Sequence, residues 1–251
     1  MPLKAKDIFK EINIPKGRII VVHARLSNLK ELMKVDYTEA ARAIIDSIYE
    51  LYQPKTILVP TFTYSFTKSG IYHRLFSKSE VGRFSEEVRN IYSQYRTPDP
   101  IFSFVDTNNI IHKNNIDYRT AFDKGSLFEF LDKEDCIVLN ADLDTITQTQ
   151  IHYVEKVNQV DYRYEKVFTG VVYHDQSRWE YINYKYYVRD LLLDPKMDYK
   201  KREQYLIESG DLQIFYNNDL KISWISAKTL KDAITKALKE DPHFLIIKQD
   251  G

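Results

Sequence analysis

Glycine is scarce in this sequence, 7 residues of 251 or about 2.8%, against a usual share of roughly 7%. Glycine-built nucleotide motifs are missing with it: no GxGxxG turn, no P-loop and no GxSxG elbow is present, which removes the motif-recognised dinucleotide, nucleoside triphosphate and serine-hydrolase readings. A single cysteine, Cys136, excludes an intramolecular disulfide and a cysteine-cluster metal site. Charge of one sign is lacking too. Lys plus Arg is 36 and Asp plus Glu is 36, so the chain carries neither a basic coat for nucleic acid nor an acidic surface for a polycation. No apolar run approaches the roughly 20 residues that span a bilayer. The N-terminal MPLKAKDIFKEINIPKG has no apolar core of a signal peptide. The expectation is a cytoplasmic protein with no membrane span and no nucleic-acid partner.

What is present is a dense aromatic and aliphatic sequence, with 19 Tyr and 13 Phe, long enough for one large domain. Apolar β-branched runs at Arg18–His23, Thr56–Val59 and Cys136–Leu139 read as buried strands. Between the first two, Ala40, Ile44, Ile45, Ile48 and Leu51 recur at helical spacing, which makes a βαβ unit with parallel neighbouring strands. A short helix over Lys4–Ile12, a helix over Ser85–Tyr95, a strand over Ile101–Val105 and a helix over Thr147–Val157 follow the same logic. Alternation between Tyr162 and Tyr187 predicts antiparallel strands, Ser209–Ser223 a hairpin and Ala227–Glu240 a final helix. The predicted fold is α/β, an α/β/α layered mixed sheet with an additional antiparallel β portion in the C-terminal half. It forms a single domain over residues 1–251, with its core at about 1–160 and the appended part at about 161–251.

Polar residues follow each buried strand: His23 to Ser27, Thr61 to Ser65, and Asp142 to Thr149. In open α/β sheets ligands bind beyond the carboxyl ends of the strands, so these segments are candidates to share a cleft. His152 and Glu155 stand at i and i+3 on one helix face, the arrangement of a general base and its carboxylate. Taken alone the pair also fits an ordinary helix-surface contact. A metal pair would need further ligands, and the remaining histidines outside the proposed cleft (His73, His112, His174 and His243) are scattered, so no metal is expected. Asp99, between two prolines, is a carboxylate on a stiff loop.

Six segments in order, VVHARLSNL (21–29), TILVPTFTYSF (56–66), VGRFSEEVR (81–89), RTPDPIFSF (96–104), FDKGSLFEFL (122–131) and IHYVEK (151–156), resemble the aminoglycoside 3-N-acetyltransferase family. The resemblance implies acyl transfer from acetyl-CoA to an amine, with His152 as general base, Glu155 as its support and no covalent enzyme intermediate. It implies a CoA site lined by His23, Ala24, Arg25, Leu26, Ser27, Pro60, Thr61, Phe62, Thr63 and Ser103.

This sequence departs from the family's pattern in three places. Glu31–Asp36 stands where many members carry a Gly-Gly pair, Ala24 and Arg25 replace serines, and Asp99-Pro100 replaces a His-Pro. The Asp-Pro form is similar to the branch found with surface-polysaccharide synthesis, which implies an amino-sugar acceptor, nucleotide-linked, and Asp99 helping to place its amine. Tyr64, Arg83, Asp144 and Thr149 are the candidates for holding that acceptor. Lys68, Arg74 and Arg96 are further basic residues for its diphosphate, and Tyr64, Phe66, Tyr72 and Phe102 are aromatics that could stack on it. An aminoglycoside acceptor and a non-catalytic binding protein on the same fold are the alternatives. A homodimer is compatible with the Tyr-rich segment Trp179–Tyr187.

Overall fold

Side-chain alternation along residues 19–24 sets the architecture: Ile20 and Val22 enter one apolar core, Ile19 and Val21 the other, as a pleated strand covered on both faces requires. The computed structural model describes residues 2–193 and 195–247. In chain order the elements are α1 (Ala5–Phe9), β1 (Ile19–Ala24), α2 (Leu26–Met33), α3 (Tyr37–Tyr52), β2 (Thr56–Pro60), α4 (Phe66–Ser69), β3 (Ile71–His73), α5 (Arg83–Tyr92) and β4 (Phe104–Asp106). They continue with α6 (Leu127–Lys133), β5 (Ile137–Ala141), α7 (Gln150–Val157), β6 (Arg163–Tyr173), β7 (Trp179–Arg189), α8 (Tyr199–Glu208), β8 (Gln213–Asn217), β9 (Leu220–Ser226) and α9 (Ala227–Glu240).

The main sheet has the order β4-β2-β1-β5-β9-β8. Its centre is parallel, β2 and β5 flanking β1, and its edges are antiparallel. Residues of α1, α2, α3 and α5 share one core, and those of α6, α7 and α9 the other. This is the expected α/β/α mixed sheet. The appended part is a second sheet, β3-β6-β7, built on the long β6–β7 hairpin. Its Tyr72, Val172, Ile182 and Tyr184 join the α6–α7–α9 core. The predicted C-terminal hairpin is β8–β9, and it extends the main sheet instead of standing apart.

Several local expectations change. The strand expected over Ile101–Val105 shortens to β4, because Asp99 ties the backbone N–H groups of Ile101 and Phe102 into a turn. The polar segment that ends at Ser27 runs directly into the helix α2. It ends at Lys34, which adopts a left-handed φ of 57°, at the place where the family resemblance lapses. Asp36 then caps α3 by accepting from the Glu39 N–H. Gly170 allows β6 to pass over the end of α4: a Cβ there would lie 2.3 Å from the Gly70 carbonyl oxygen and 2.7 Å from the Phe66 ring.

Candidate active site

The helix α7 begins just past β5, at the carboxyl end of the central strands, and carries His152 and Glu155. Ile151 and Val154 anchor it in the core. Glu155 is fully buried, and the His152 side chain keeps a quarter of its surface exposed. His152 Nδ1 lies 2.6 Å from Glu155 Oε2. Arg163, on β6, brings Nε to 2.8 Å from the same oxygen and Nη2 to 2.9 Å from His152 Nδ1. Nδ1 faces a carboxylate acceptor at 2.6 Å and an arginine donor at 2.9 Å; the shorter contact favours the proton on Nδ1, pointing at Glu155, and Arg163 Nη2 then makes no hydrogen bond to the ring. Nε2 then carries the free lone pair, as a general base needs.

Electrostatics favour the same state. Burial first, then the Arg163 guanidinium, hold the His152 pKa below the usual histidine value, against the pull of Glu155. Contact with His152 and Arg163 outweighs burial and keeps the Glu155 carboxyl below the usual range. The result is a neutral imidazole beside an ionised carboxylate.

Two openings are relevant to this pair, and His152 lines the first. A cleft of about 280 Å³ is lined by His152, Thr145, Thr147, Gln148, Thr149, Ile151, Tyr199 and Arg202, among others. A wider groove of about 830 Å³ lies on the β6–β7 hairpin and includes Tyr64, Lys68, Tyr164, Lys166, Phe168, Tyr186 and Arg189. Edge-on and tilted rings join them: His152 to Phe122, Phe122 to Tyr186 and Phe102, and Phe102 to Tyr64. The groove carries Lys68, Lys166 and Arg189 against one carboxylate, Asp190.

Some expected site residues do converge. Thr149 shares the cleft with His152. His23 and Pro60 line a narrow slot with Gln148 and Thr149, and burial pushes the His23 pKa down to about 4, so it is neutral. Arg25 reaches Asp144 at 2.5 Å, bridging the end of β1 to the loop before α7. Ala24 is half-buried at the strand end and Ser27 is exposed on α2. Tyr64 is in the groove.

Others are placed elsewhere. The hydroxyls of Thr61, Thr63 and Ser103 turn inward and solvate Arg96: its Nε lies 3.1 Å from Thr61 Oγ1 and 3.0 Å from Ser103 Oγ, and its Nη2 2.9 Å from Thr63 Oγ1. Arg96 is 1% exposed and faces no ligand opening. Phe62 and Leu26 are core residues. Arg83 stands on α5, whose buried residues belong to the opposite layer, paired with Glu87 and stacked over Tyr37. Asp99 is buried: it accepts from the N–H groups of Ile101 and Phe102 at 2.9 and 2.6 Å, and the Tyr184 hydroxyl donates to both its oxygens. Burial pushes its pKa up to about 7. Its carboxylate lies behind Phe102 and makes no contact with His152.

Arg163, Tyr199 and Arg202 lie outside the sequence-based site, because no local motif marks a strand arginine or a helix that comes close only through the fold; Gln148 falls inside the candidate segment Asp142 to Thr149. Among the described residues no group of three or more His, Cys, Asp or Glu could hold a metal ion, and no helix is long and apolar enough to cross a membrane.

A family profile described as aminoglycoside 3-N-acetyltransferase matches residues 21–239. Among solved structures, the YokD protein from Bacillus subtilis is similar at 16% identity, covering 95% of this chain and 98% of that one, with a TM-score of 0.71. AAC-IIIb, solved as a binary complex with CoASH, is similar at 12% identity, covering 94% and 95%, with a TM-score of 0.72. A mutant of aminoglycoside acetyltransferase AAC(3)-IVa in complex with a gentamicin gives 12% identity, 98% and 92% coverage and a TM-score of 0.67. No curated protein sequence matches the chain.

Proposed function

The chain belongs to the aminoglycoside 3-N-acetyltransferase family, a family of CoA-dependent N-acetyltransferases, and we propose that it acetylates the amine of an amino sugar, nucleotide-linked, in cytoplasmic polysaccharide or glycan synthesis. The observation that carries the chemistry is the His152–Glu155 pair, with Nδ1 turned to the buried carboxylate and His152 lining a cleft. Bound acetyl-CoA supplies an acetyl group activated as a thioester. His152 Nε2 would take the proton from the acceptor amine as its nitrogen bonds to the thioester carbonyl carbon; the C–S bond would then break and the CoA sulfur leave as the thiol, the proton returning from the imidazolium, while Glu155 holds the ring in the required tautomer and its charge steadies the imidazolium. The side-chain amide of Gln148 suits the amide-bearing pantetheine arm: it borders both the His152 cleft and the slot at His23 and Pro60. Buried, with neither its oxygen nor its nitrogen hydrogen-bonded, it lacks partners that an amide can supply. We assign Arg25, Ala24 and Ser27 to the entrance of that site, and Thr149 and Tyr64 to the acceptor. Asp99 acts as a positioning residue that fixes the loop carrying Phe102.

The groove supports the acceptor class. Three cations and one carboxylate among aromatic rings suit the anionic nucleotide end of such an acceptor. An aminoglycoside carries several positive charges and would meet like charge there. It is the alternative reading, favoured by the similarity to the gentamicin-bound AAC(3)-IVa mutant. The two separate in one assay: free-thiol release from acetyl-CoA across a panel of nucleotide-linked amino sugars and aminoglycosides, with products identified by mass spectrometry. Acetylation of a nucleotide-linked amino sugar is expected; acetylation of aminoglycosides alone would replace this reading.

A further inference from the structure

The cleft at His152 contains a charge that the acetyl transfer above does not use. Arg202, on α8, lines it together with His152, Tyr199 and three threonines. The residue is 3% exposed, and its guanidinium lies over the Tyr199 ring at 5.4 Å. Nη2 donates to the Ile146 carbonyl at 2.8 Å, whereas Nε is buried with no partner. The carboxylates that influence it electrostatically are Glu155 and Glu203, and both are committed elsewhere: Glu155 to His152 and Arg163, Glu203 to Lys221 at 2.5 Å. A guanidinium cannot escape by losing its proton, and a buried charge without a counter-charge is costly. Arg96, equally buried, has its nitrogens on protein oxygens, and Arg163 faces the Glu155 carboxylate at 2.8 Å, whereas Arg202 has no carboxylate of its own.

We propose that Arg202 is a specificity-determining residue that binds a phosphate oxygen of the acceptor, next to the amine that His152 deprotonates. This rests on the amino-sugar reading and deepens it, since it places the anion within one sugar of the reacting nitrogen. The phosphates of CoA share this chemistry, and calorimetric titration of acetyl-CoA distinguishes them: weakening by Arg202→Met of acetyl-CoA binding alone would overturn the proposal. A sugar carboxylate shares the needed chemistry, and a uronate arm of the experiment distinguishes it.

The test compares wild type, Arg202→Met and Arg202→Lys on a hexosamine 1-phosphate, an amino-uronate and a neutral methyl hexosaminide, with melting temperatures to verify folding. Arg202→Met is expected to raise KM for the 1-phosphate about 10–100-fold, the worth of a charge-assisted hydrogen bond, with kcat unchanged. The neutral glycoside is expected to be indifferent to the substitution, and Arg202→Lys to keep part of the affinity. A kcat loss shared by all acceptors with KM unmoved would overturn the proposal and place Arg202 at the reacting carbonyl. A shift confined to the uronate would overturn the phosphate assignment. Calorimetric titration of the 1-phosphate reads the subsite without turnover: binding by wild type that weakens in Arg202→Met supports it even if no amino sugar is acetylated, which would defeat the acceptor reading alone. No binding by folded wild type overturns it.

Discussion

Arg96 and Arg202 are both buried, and the protein treats them differently. Around Arg96 the polar side chains close on themselves: Thr61, Thr63, Ser103 and backbone carbonyls take its N–H groups, and neighbouring Asp99 is held by three donors. Around His152 the opposite holds. Gln148 at both amide atoms and Arg202 at Nε are buried and unpaired, and both line the cleft. Native interiors satisfy such groups almost everywhere, so unpaired groups that line an open cleft mark where a ligand completes the bonding. Full satisfaction marks scaffold, even where the sequence places hydroxyls at a strand end.

The largest break of this contrast comes from Glu155→Gln. It leaves Arg163 buried without a counter-charge and releases the His152 ring. Loss of one partner of a buried ion pair typically costs about 3–5 kcal/mol; chemical denaturation should read a loss of that order, together with reduced turnover. Ser103→Ala tests the other side. Arg96 loses one acceptor, for which about 1–3 kcal/mol of stability is expected, while KM for acetyl-CoA stays at the wild-type value. A large KM increase without destabilisation would return Ser103 to the cofactor site.

A third test sharpens the scaffold side through pH. Asp99 holds its proton in the folded state up to about pH 7, against an ordinary value of 3.8. Between those values the native state binds more protons than the unfolded chain, so this group makes stability fall as pH rises from about 4 to 7. Asp99→Asn should flatten that part of the stability–pH curve, measured by denaturant titration at several pH values.

The contrast also explains what the sequence could disclose. The β1, β2 and β5 strands and α7 are local patterns of apolar spacing, and the His152–Glu155 contact follows from i, i+3 geometry on one helix; both were legible. Arg163 pairs with Glu155 from an adjacent strand, and Arg202 reaches the cleft from α8, contacts that no spacing rule encodes. The α8 helix itself, YKKREQYLIE, has too few apolar positions to reveal its periodicity. The TFT segment after β2 reads as a ligand loop, because polar residues at a strand end are the right signal. Only the fold reveals that Arg96 lies beneath them.

The central claim is that His152 performs the proton transfer in a site that binds its substrates by other groups. Turnover and acetyl-CoA affinity of His152→Ala, measured together by thiol release and calorimetry, test it directly. A loss of about 10²–10⁴-fold in kcat, the usual worth of a general base, with acetyl-CoA binding intact is the predicted result. Wild-type turnover in a folded His152→Ala protein would contradict it.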